Sequence, residues 1–451
     1  TKKDYSRKTP ASLFYKDSPL WQKLLTIGCM VFLSVAGLGE WKYLNNMLGG
    51  LPKAVSLGVI GLAVLYTLSY PDEKRLREIW KPTLLYMSLM AALFFWSMII
   101  WIKSFSEISS MIRSCSKVLF QSIAILTAVA LVYLFREKAI ELFTICICMI
   151  NGAIMLLCIP GYGIAASIQS LITCLVTFGD AVGYARQLEI HDLTFVFGQM
   201  IVYYAVFAPH TTREEKRKRW RYLLLCIWFF LVGMKRSAIP AVVLFIIVGL
   251  LLRKRKLPHW FYPVVGVGCI VFFLVFLYCV RNGIVTALLL RFDIDMMGRD
   301  CLWSLANPYY EFSITYIGHG FEYVDSLVTQ WYNEGILNHP YPFHNDILKV
   351  FVEMGFPGFM LWSGIQYVLT PLFWQRYADQ QTTLLYMCVL GYMTVTYLTD
   401  NTAFYFWSAM ALRLLPLAYA MNRKKPPKPK VWMPDSRQEM RDRIRVLMQE
   451  G

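Results

Sequence analysis

Charge is what this sequence has least of. Only 16% of its 451 residues are Asp, Glu, Lys or Arg, where an ordinary soluble domain carries about 25%. That shortage argues against one soluble domain with an oversized core, because the 57% of residues that are hydrophobic fall in runs of about 17–22, the length that crosses a bilayer. Patterned cysteine is missing too. The 11 cysteines are scattered, with no CxxC pair and no Cys/His metal spacing; Cys146 and Cys148 stand two apart inside an apolar run. They read as small packing residues, which excludes a disulfide framework. There is no P-loop, dinucleotide fingerprint, HExxH or GxSxG motif. No paired-carboxylate motif stands out as a metal site, and no cofactor is expected. No cleavable signal is visible: Lys2, Lys3, Arg7 and Lys8 precede a first apolar run that reads as a retained span.

What is present is hydropathy and basic charge. The mean hydropathy is +0.45 and the formal net charge +16. The basic residues form no groove interleaved with stacking aromatics, so nucleic acid is not an expected partner. They cluster between apolar runs, as topology signals do. We expect an all-α polytopic membrane protein of about twelve spans, at 24–39, 51–70, 83–101, 117–135, 139–158, 192–208, 221–234, 237–252, 260–280, 346–368, 382–398 and 403–421. The seventh is short for a full crossing. Lys74 to Lys81, Arg136 with Lys138, Arg213 to Arg221, Arg253 to Lys256 and Arg423 to Lys430 fall on one face when the number of spans is even. Both termini are then cytoplasmic: 1–23 before one transmembrane domain at 24–421, and a basic tail at 422–451 whose stretch Asp435 to Glu450 has helical composition.

Two outward segments are long. In 160–191, the stretch Ala165 to Phe178 is apolar and suits an interfacial or re-entrant helix. The other, a large extracytoplasmic loop at 281–345 between spans nine and ten, is long enough to expect function. Its aromatics, Tyr309, Tyr310, Tyr316, Tyr323, Trp331, Tyr332 and Tyr341, suit either sugar stacking or an interfacial belt.

Four outward stretches could carry chemistry. His344-Asn-Asp opens the tenth span, where Asn345 or Asp346 can cap the helix and the imidazole could take a proton from a hydroxyl; the plainer reading is an interfacial His at a helix start. Gly355, Pro357 and Gly358 interrupt that span. Arg299, in Met297-Gly-Arg-Asp-Cys-Leu-Trp, suits phosphate, or pairs with Asp293, Asp295 or Asp300. Arg186, Glu189, His191 and Asp192 gather at the mouth of the sixth span, lining a polar cavity or capping a helix. Gly233-Met-Lys-Arg-Ser-Ala puts Lys235 and Arg236 outward, against the positive-inside trend, for function or by snorkelling. Arg413, within the last apolar run, should face a partner or a cavity.

The order of these motifs resembles the O-antigen polymerase and O-antigen ligase superfamily (Wzy and WaaL types). Arg186 with its helix, Gly-Met-Lys-Arg-Ser-Ala at 233–238, Gly-Arg-Asp-Cys-Leu-Trp at 298–303, Gly318-His-Gly-Phe321, His344-Asn-Asp-Ile-Leu348 and Glu353-Met-Gly355 carry it. Motif detail covers about residues 180–370, and each motif alone is short. The resemblance implies a metal-independent glycosyltransferase of GT-C type. Its partners would be undecaprenyl-diphosphate-linked oligosaccharide as donor and acceptor, the bilayer and a chain-length regulator. It would work at the outer face of a bacterial inner membrane. In the family, two outward arginines hold the diphosphate and the histidine assists the acceptor; Arg186, Arg299 and His344 match them. His344 and Arg299 are thus the catalytic candidates, with Arg186, Arg236, Glu189 and His191 as further diphosphate- or substrate-binding candidates. Glu189-Ile-His-Asp after Arg186 departs from the Gly and Asn pattern of ligases, which favours a polysaccharide polymerase over a ligase. A transporter or flippase of lipid-linked oligosaccharide is the competing class, but it would be expected to show repeated broken helices around a midplane site. A structural scaffold would leave the outward arginines without a role.

Overall fold

In this computed structural model the described residues are 19–104, 108–177, 181–293, 298–339 and 341–422. Lys2 to Lys8, Asp295, Met297, Arg423 to Lys430 and the stretch 435–450 lie outside them. All regular structure among the described residues is helical. The first half comprises α1 (Leu20–Leu38), α2 (Lys42–Leu48), α3 (Leu51–Ala54), α4 (Leu57–Ser69), α5 (Glu73–Ser104), α6 (Ile108–Phe135), α7 (Lys138–Cys158), α8 (Ile164–Thr177), α9 (Gly183–Gln187) and α10 (His191–Val202). The second half adds α11 (Arg213–Val232), α12 (Ala238–Leu252), α13 (Phe261–Arg281), α14 (Ile284–Arg291), α15 (Arg299–Ala306), α16 (Tyr323–Asn333), α17 (Asp346–Gly364), α18 (Thr370–Tyr377), α19 (Gln380–Thr399) and α20 (Phe406–Asn422).

A helix occupies each of the twelve expected ranges. Among the described residues, seven segments are long and apolar enough to cross a membrane: Leu20–Leu38, Leu51–Ser69, Glu73–Ser104, Met111–Phe135, Lys138–Gly161, Phe261–Arg281 and Gln380–Thr399. Ile164–Thr177, Ala238–Leu252 and Phe406–Met421 are apolar but shorter. The outer faces carry exposed Leu65, Phe95, Leu251 and Val271, each more than half accessible. Apolar surface on this scale suits hydrocarbon and would promote aggregation in water. The short seventh range proves to be the apolar end of a 20-residue helix. Thr212 and Glu215 form a reciprocal capping box, so the polar run Arg213 to Arg221 starts the same helix that the apolar run continues.

The basic clusters at 74–81, 136–138, 213–221 and 253–256 share one end of the bundle. Arg136 pairs with Glu78 at 2.9 Å, and Lys218 pairs with Glu141. Arg219 donates to the Tyr204 and Ala205 carbonyls, and Arg253 donates to that of Val206. These carbonyls sit in the π-helical turn Tyr203–Phe207 that ends α10, where cations complement the negative end of the helix dipole.

At the opposite end, the long loop docks into a broken helix. Gly355 interrupts α17 with φ 64° and ψ −174°, a conformation open essentially to glycine alone. The chain 316–320 lies against the break. Phe356 N–H donates to the Tyr316 carbonyl at 2.8 Å, while His319 and Gly320 N–H both donate to the Glu353 carbonyl, at 3.0 and 2.7 Å. Trp96 Nε1 donates to the Met354 carbonyl at 2.8 Å. Backbone groups released by the break therefore find partners in the loop, as a low-dielectric environment requires. α20 is buried along its length against α6, α10 and α19. Its Arg413 lines a small cavity with Tyr86, Gln366 and Tyr386, as its place in an apolar run demands.

Candidate functional site

The segment joining α19 to α20 is held by carboxylates from two other helices. Asp192, in the first turn of α10, accepts from Trp407 N–H at 2.8 Å and from Ser408 N–H and Oγ at 2.9 Å each. It thereby satisfies the otherwise unpaired donors at the start of α20. Asp346, in the first turn of α17, accepts from Ala403 N–H at 2.7 Å. Gln121 of α6 donates to the Phe404 carbonyl. This anchoring fixes Asp400, which is 4% exposed, between the beginnings of α10 and α17.

A charged chain of contacts runs through Asp400. His344 Nδ1 lies 3.4 Å from Asp400 Oδ1. Asp400 Oδ2 lies 3.9 Å from Lys235 Nζ. Lys235 Nζ donates to Glu189 Oε1 at 2.8 Å and stands 3.4 Å from His191 Nε2. Four sequence-distant segments thus meet: the α9–α10 junction, the α11–α12 turn, the residue preceding α17's cap, and the end of α19. Burial pushes the Asp400 carboxyl up, but the His344 contact and the charges of Lys235 and His191 outweigh it and hold Asp400 below the usual carboxylate range.

His344 has an uncommon backbone, with φ at +54°, a left-handed conformation that non-glycine residues seldom adopt. Asn345 then caps α17, its Oδ1 accepting from Leu348 N–H at 3.0 Å. Strain before a firmly capped helix orients the imidazole from the end of α17, and strain of this kind concentrates at functional sites. At 3.4 Å the Asp400 contact is electrostatic and longer than an ordinary hydrogen bond. A proton on Nδ1 facing the carboxylate leaves Nε2 as the acceptor.

Of the sequence candidates, His344, Glu189 and His191 come together here. Arg236 follows Lys235 in the turn and is exposed. Arg299 is the first residue of α15, after Gly298 at φ 78°, and pairs with neither Asp293 nor Asp300. Arg186 is exposed on α9. Neither Arg186 nor Arg299 makes an ion pair with a described residue, and no described contact joins them to the His344 network. Two of the loop aromatics suit neither sugar stacking nor an interfacial belt, because Tyr310 and Trp331 are each 2% exposed. Tyr310 lies under Arg281 and against Phe351, and Trp331 lies against Tyr309. Tyr332 and Tyr341 are exposed.

Asp400 was missed in the sequence. The available signal was an Asp-Asn pair between two apolar runs on the expected outward side. A second missed group is Lys349 in α17. It contacts Asp325 at 2.8 Å, Glu322 at 3.4 Å and Glu353 at 3.9 Å, tying the loop helix α16 to α17. Burial holds the Glu322 carboxyl above its ordinary range despite Lys349. The i,i+4 pair Lys349 and Glu353 inside an apolar run was the signal there. Among the described residues, no group of three or more His, Cys, Asp or Glu is arranged to hold a metal ion.

Residues 222–363 match the Wzy_C family model, described as O-antigen ligase. The match covers less than half of the chain and runs from α11 to the end of α17. Lys235, Arg236, Arg299 and His344 lie inside it, while Arg186, Glu189, His191 and Asp400 lie outside. It supports the O-antigen ligase and polymerase superfamily that the motif order resembles. It also supports an enzyme of polysaccharide assembly in a membrane. No match was found among curated proteins.

Proposed function

We propose that this protein is a polysaccharide polymerase of the outer face of a bacterial inner membrane, with twelve spans and both termini cytoplasmic. It transfers a glycan from undecaprenyl diphosphate to the hydroxyl of a lipid-linked repeat unit. The observation that carries the reading is His344, held in a left-handed conformation at the mouth of α17 with Nδ1 beside buried Asp400.

In the proposed step, the acceptor hydroxyl oxygen attacks the anomeric carbon while its proton passes to His344 Nε2. The bond from that carbon to the diphosphate oxygen breaks, and the lipid diphosphate leaves with the electron pair. Negative charge grows on the leaving group as the bond lengthens. Guanidinium groups placed there stabilise the transition state more than the ground state. Arg299 and Arg186 are assigned to that task, because neither has its charge compensated by a described carboxylate. Lys235 is already engaged by Glu189 and Asp400, which suits it to holding the His344 partner in place. The reaction needs no metal in this scheme.

A ligase that hands the glycan to lipid A-core or protein is the second reading, favoured by the description of the matching family. Purified protein supplied with lipid-diphosphate repeat units, without added metal and with EDTA, distinguishes them. A ladder of chain lengths, with none or very little from His344→Ala and Arg299→Ala, is the polymerase outcome. Transfer to another acceptor with no ladder is the ligase outcome. Movement of the unit between leaflets without transfer would refute both.

A further inference from the structure

A cavity of about 630 Å³ shares no lining residue with the His344 network, and its size falls within the roughly 300–1,000 Å³ usual for small-molecule sites. Its walls are the end of α5, the start of α6 and the loop helix α16. It is separate from the His344 network but mechanically tied to it. Glu322, in its wall, contacts Lys349 at 3.4 Å, and Lys349 N–H donates to the carbonyl of Asn345, the residue after His344.

The lining decides what the cavity can hold. Arg113, Gln330 and Asn333 supply N–H donors; Glu322 and Glu334 supply carboxylate acceptors. Glu322 is matched by Lys349 and Lys117 and Glu334 offsets Arg113, so the lining offers no surplus positive charge to a phosphate or diphosphate, and its charged and amide side chains disfavour a prenyl chain. One accessible ring is present as well: Tyr323 lines the cavity half-buried, its ring stacked on His319 at 4.1 Å between centroids, while Trp101 is buried behind the wall. Donors, acceptors and a ring face together match a polyhydroxylated ligand, whose hydroxyls both give and accept while its C–H faces stack on rings.

We infer that this cavity is a saccharide-binding subsite, which holds sugar residues of the glycan away from the bond being made. The assignment of those sugars to a transferred or accepting glycan rests on the proposed function; the binding itself does not. Glu322, with φ at +65° and its carboxylate held by Lys349 at 3.4 Å and by Lys117 at 3.7 Å, fixes the wall, while exposed Glu334 offers the open carboxylate acceptor.

The test uses the full chain in lipid nanodiscs and the oligosaccharide repeat released by mild acid from the source cells' lipid-linked glycan. Binding is followed by saturation-transfer NMR and by tryptophan fluorescence. The altered side chains, Asn333 and Glu334, are exposed, so the double variant Asn333→Ala with Glu334→Gln is expected to fold. The expected result is saturable sugar binding that weakens at least tenfold in the double variant, persists in His344→Ala and is not displaced by inorganic diphosphate. Absent binding, unchanged affinity in the double variant, or displacement by diphosphate would each overturn the inference. Binding with this profile in a protein that transfers no glycan supports the subsite while refuting the proposed reaction. Transfer without such binding does the reverse.

Discussion

Replacing Asp400 with asparagine tests the proposed reaction at the one contact that sequence reading did not supply. The substitution keeps shape and removes the charge facing His344 Nδ1 at 3.4 Å. A general base contributes about 10²–10⁴-fold to a rate. Asp400 acts only through the imidazole, across a contact longer than a formed hydrogen bond. About half of that free energy is therefore at stake, a kcat loss of roughly 10–100-fold, or about 1.4–2.7 kcal/mol. KM for the lipid-linked unit should change little, because Asp400 is a positioning residue buried behind the histidine. Asp400→Glu should restore part of the rate, since it returns a carboxylate. In the polymerisation assay, kcat is measured for wild type, Asp400→Asn, His344→Ala and the double variant. If His344 is the group through which Asp400 acts, the second substitution adds nothing in the His344→Ala background. Equal losses from Asp400→Asn in both backgrounds, or wild-type kcat in Asp400→Asn, would refute the reasoning.

Arg299→Lys should keep the fold but lose about 10²–10³-fold in kcat, the usual cost of removing an oriented donor from a developing anion; steady-state kinetics on detergent-solubilised enzyme reads it. Gly355→Ala should prevent folding, because a Cβ there would sit 2.2 Å from Ile317 C and 2.3 Å from the Tyr316 oxygen in a backbone region barred to alanine; monodisperse yield on gel filtration reports it. Lys349→Met should cost about 3–5 kcal/mol, since it leaves Asp325 and Glu353 without their cation and Glu322 with Lys117 alone at 3.7 Å; thermal melting in detergent measures the drop. The pH dependence follows from Asp400, whose folded pKa is depressed. Its stabilising contribution is present above the ordinary aspartate value, about 3.9, and is lost as pH falls through the lower folded value. The gap in melting temperature between wild type and Asp400→Asn should therefore be flat from neutral pH to about pH 5 and shrink below it.

The helical ranges were legible because hydropathy is local: each apolar run reports its own helix. The start of α11 was less so, since a polar stretch such as Arg213 to Arg221 reads as a loop until its capping box is recognised. The break in α17 could be placed from Gly355 and Pro357, but not what it is for. That requires the loop chain 316–320, which is separated from Gly355 by α16 and contacts it only in the folded protein. The same holds for the site. His344, Glu189 and His191 were chosen for their place at span mouths, and the fold joins them. Asp400 carries no pattern of its own and acquires a role only from Asp192 and Asp346, which pin the chain beside it. Tyr310 and Trp331 show the converse limit: composition left sugar stacking and an interfacial belt open, and the fold turns both rings into its own core.

The candidate cations differ in what they can still do. Lys235 and Arg236 are neighbours in sequence, and reading along the chain makes Arg236 the binding candidate. In the fold, Lys235 spends its field on Glu189 and Asp400, at 2.8 and 3.9 Å. An ammonium so compensated attracts an incoming diphosphate weakly, yet it orders the carboxylate that faces His344. Arg299 and Arg186 make no ion pair with a described carboxylate, so their fields remain available to an anion. Charge development in the transition state is stabilised by the second kind of cation and not by the first. Neutralising Lys235 as Lys235→Met should therefore mimic Asp400→Asn, lowering kcat with KM nearly constant. Arg186→Ala should raise KM for the lipid diphosphate as well as lowering kcat. The same split in both variants would mean that Lys235 meets the substrate directly, and the division of labour drawn from the ion-pair geometry would fail.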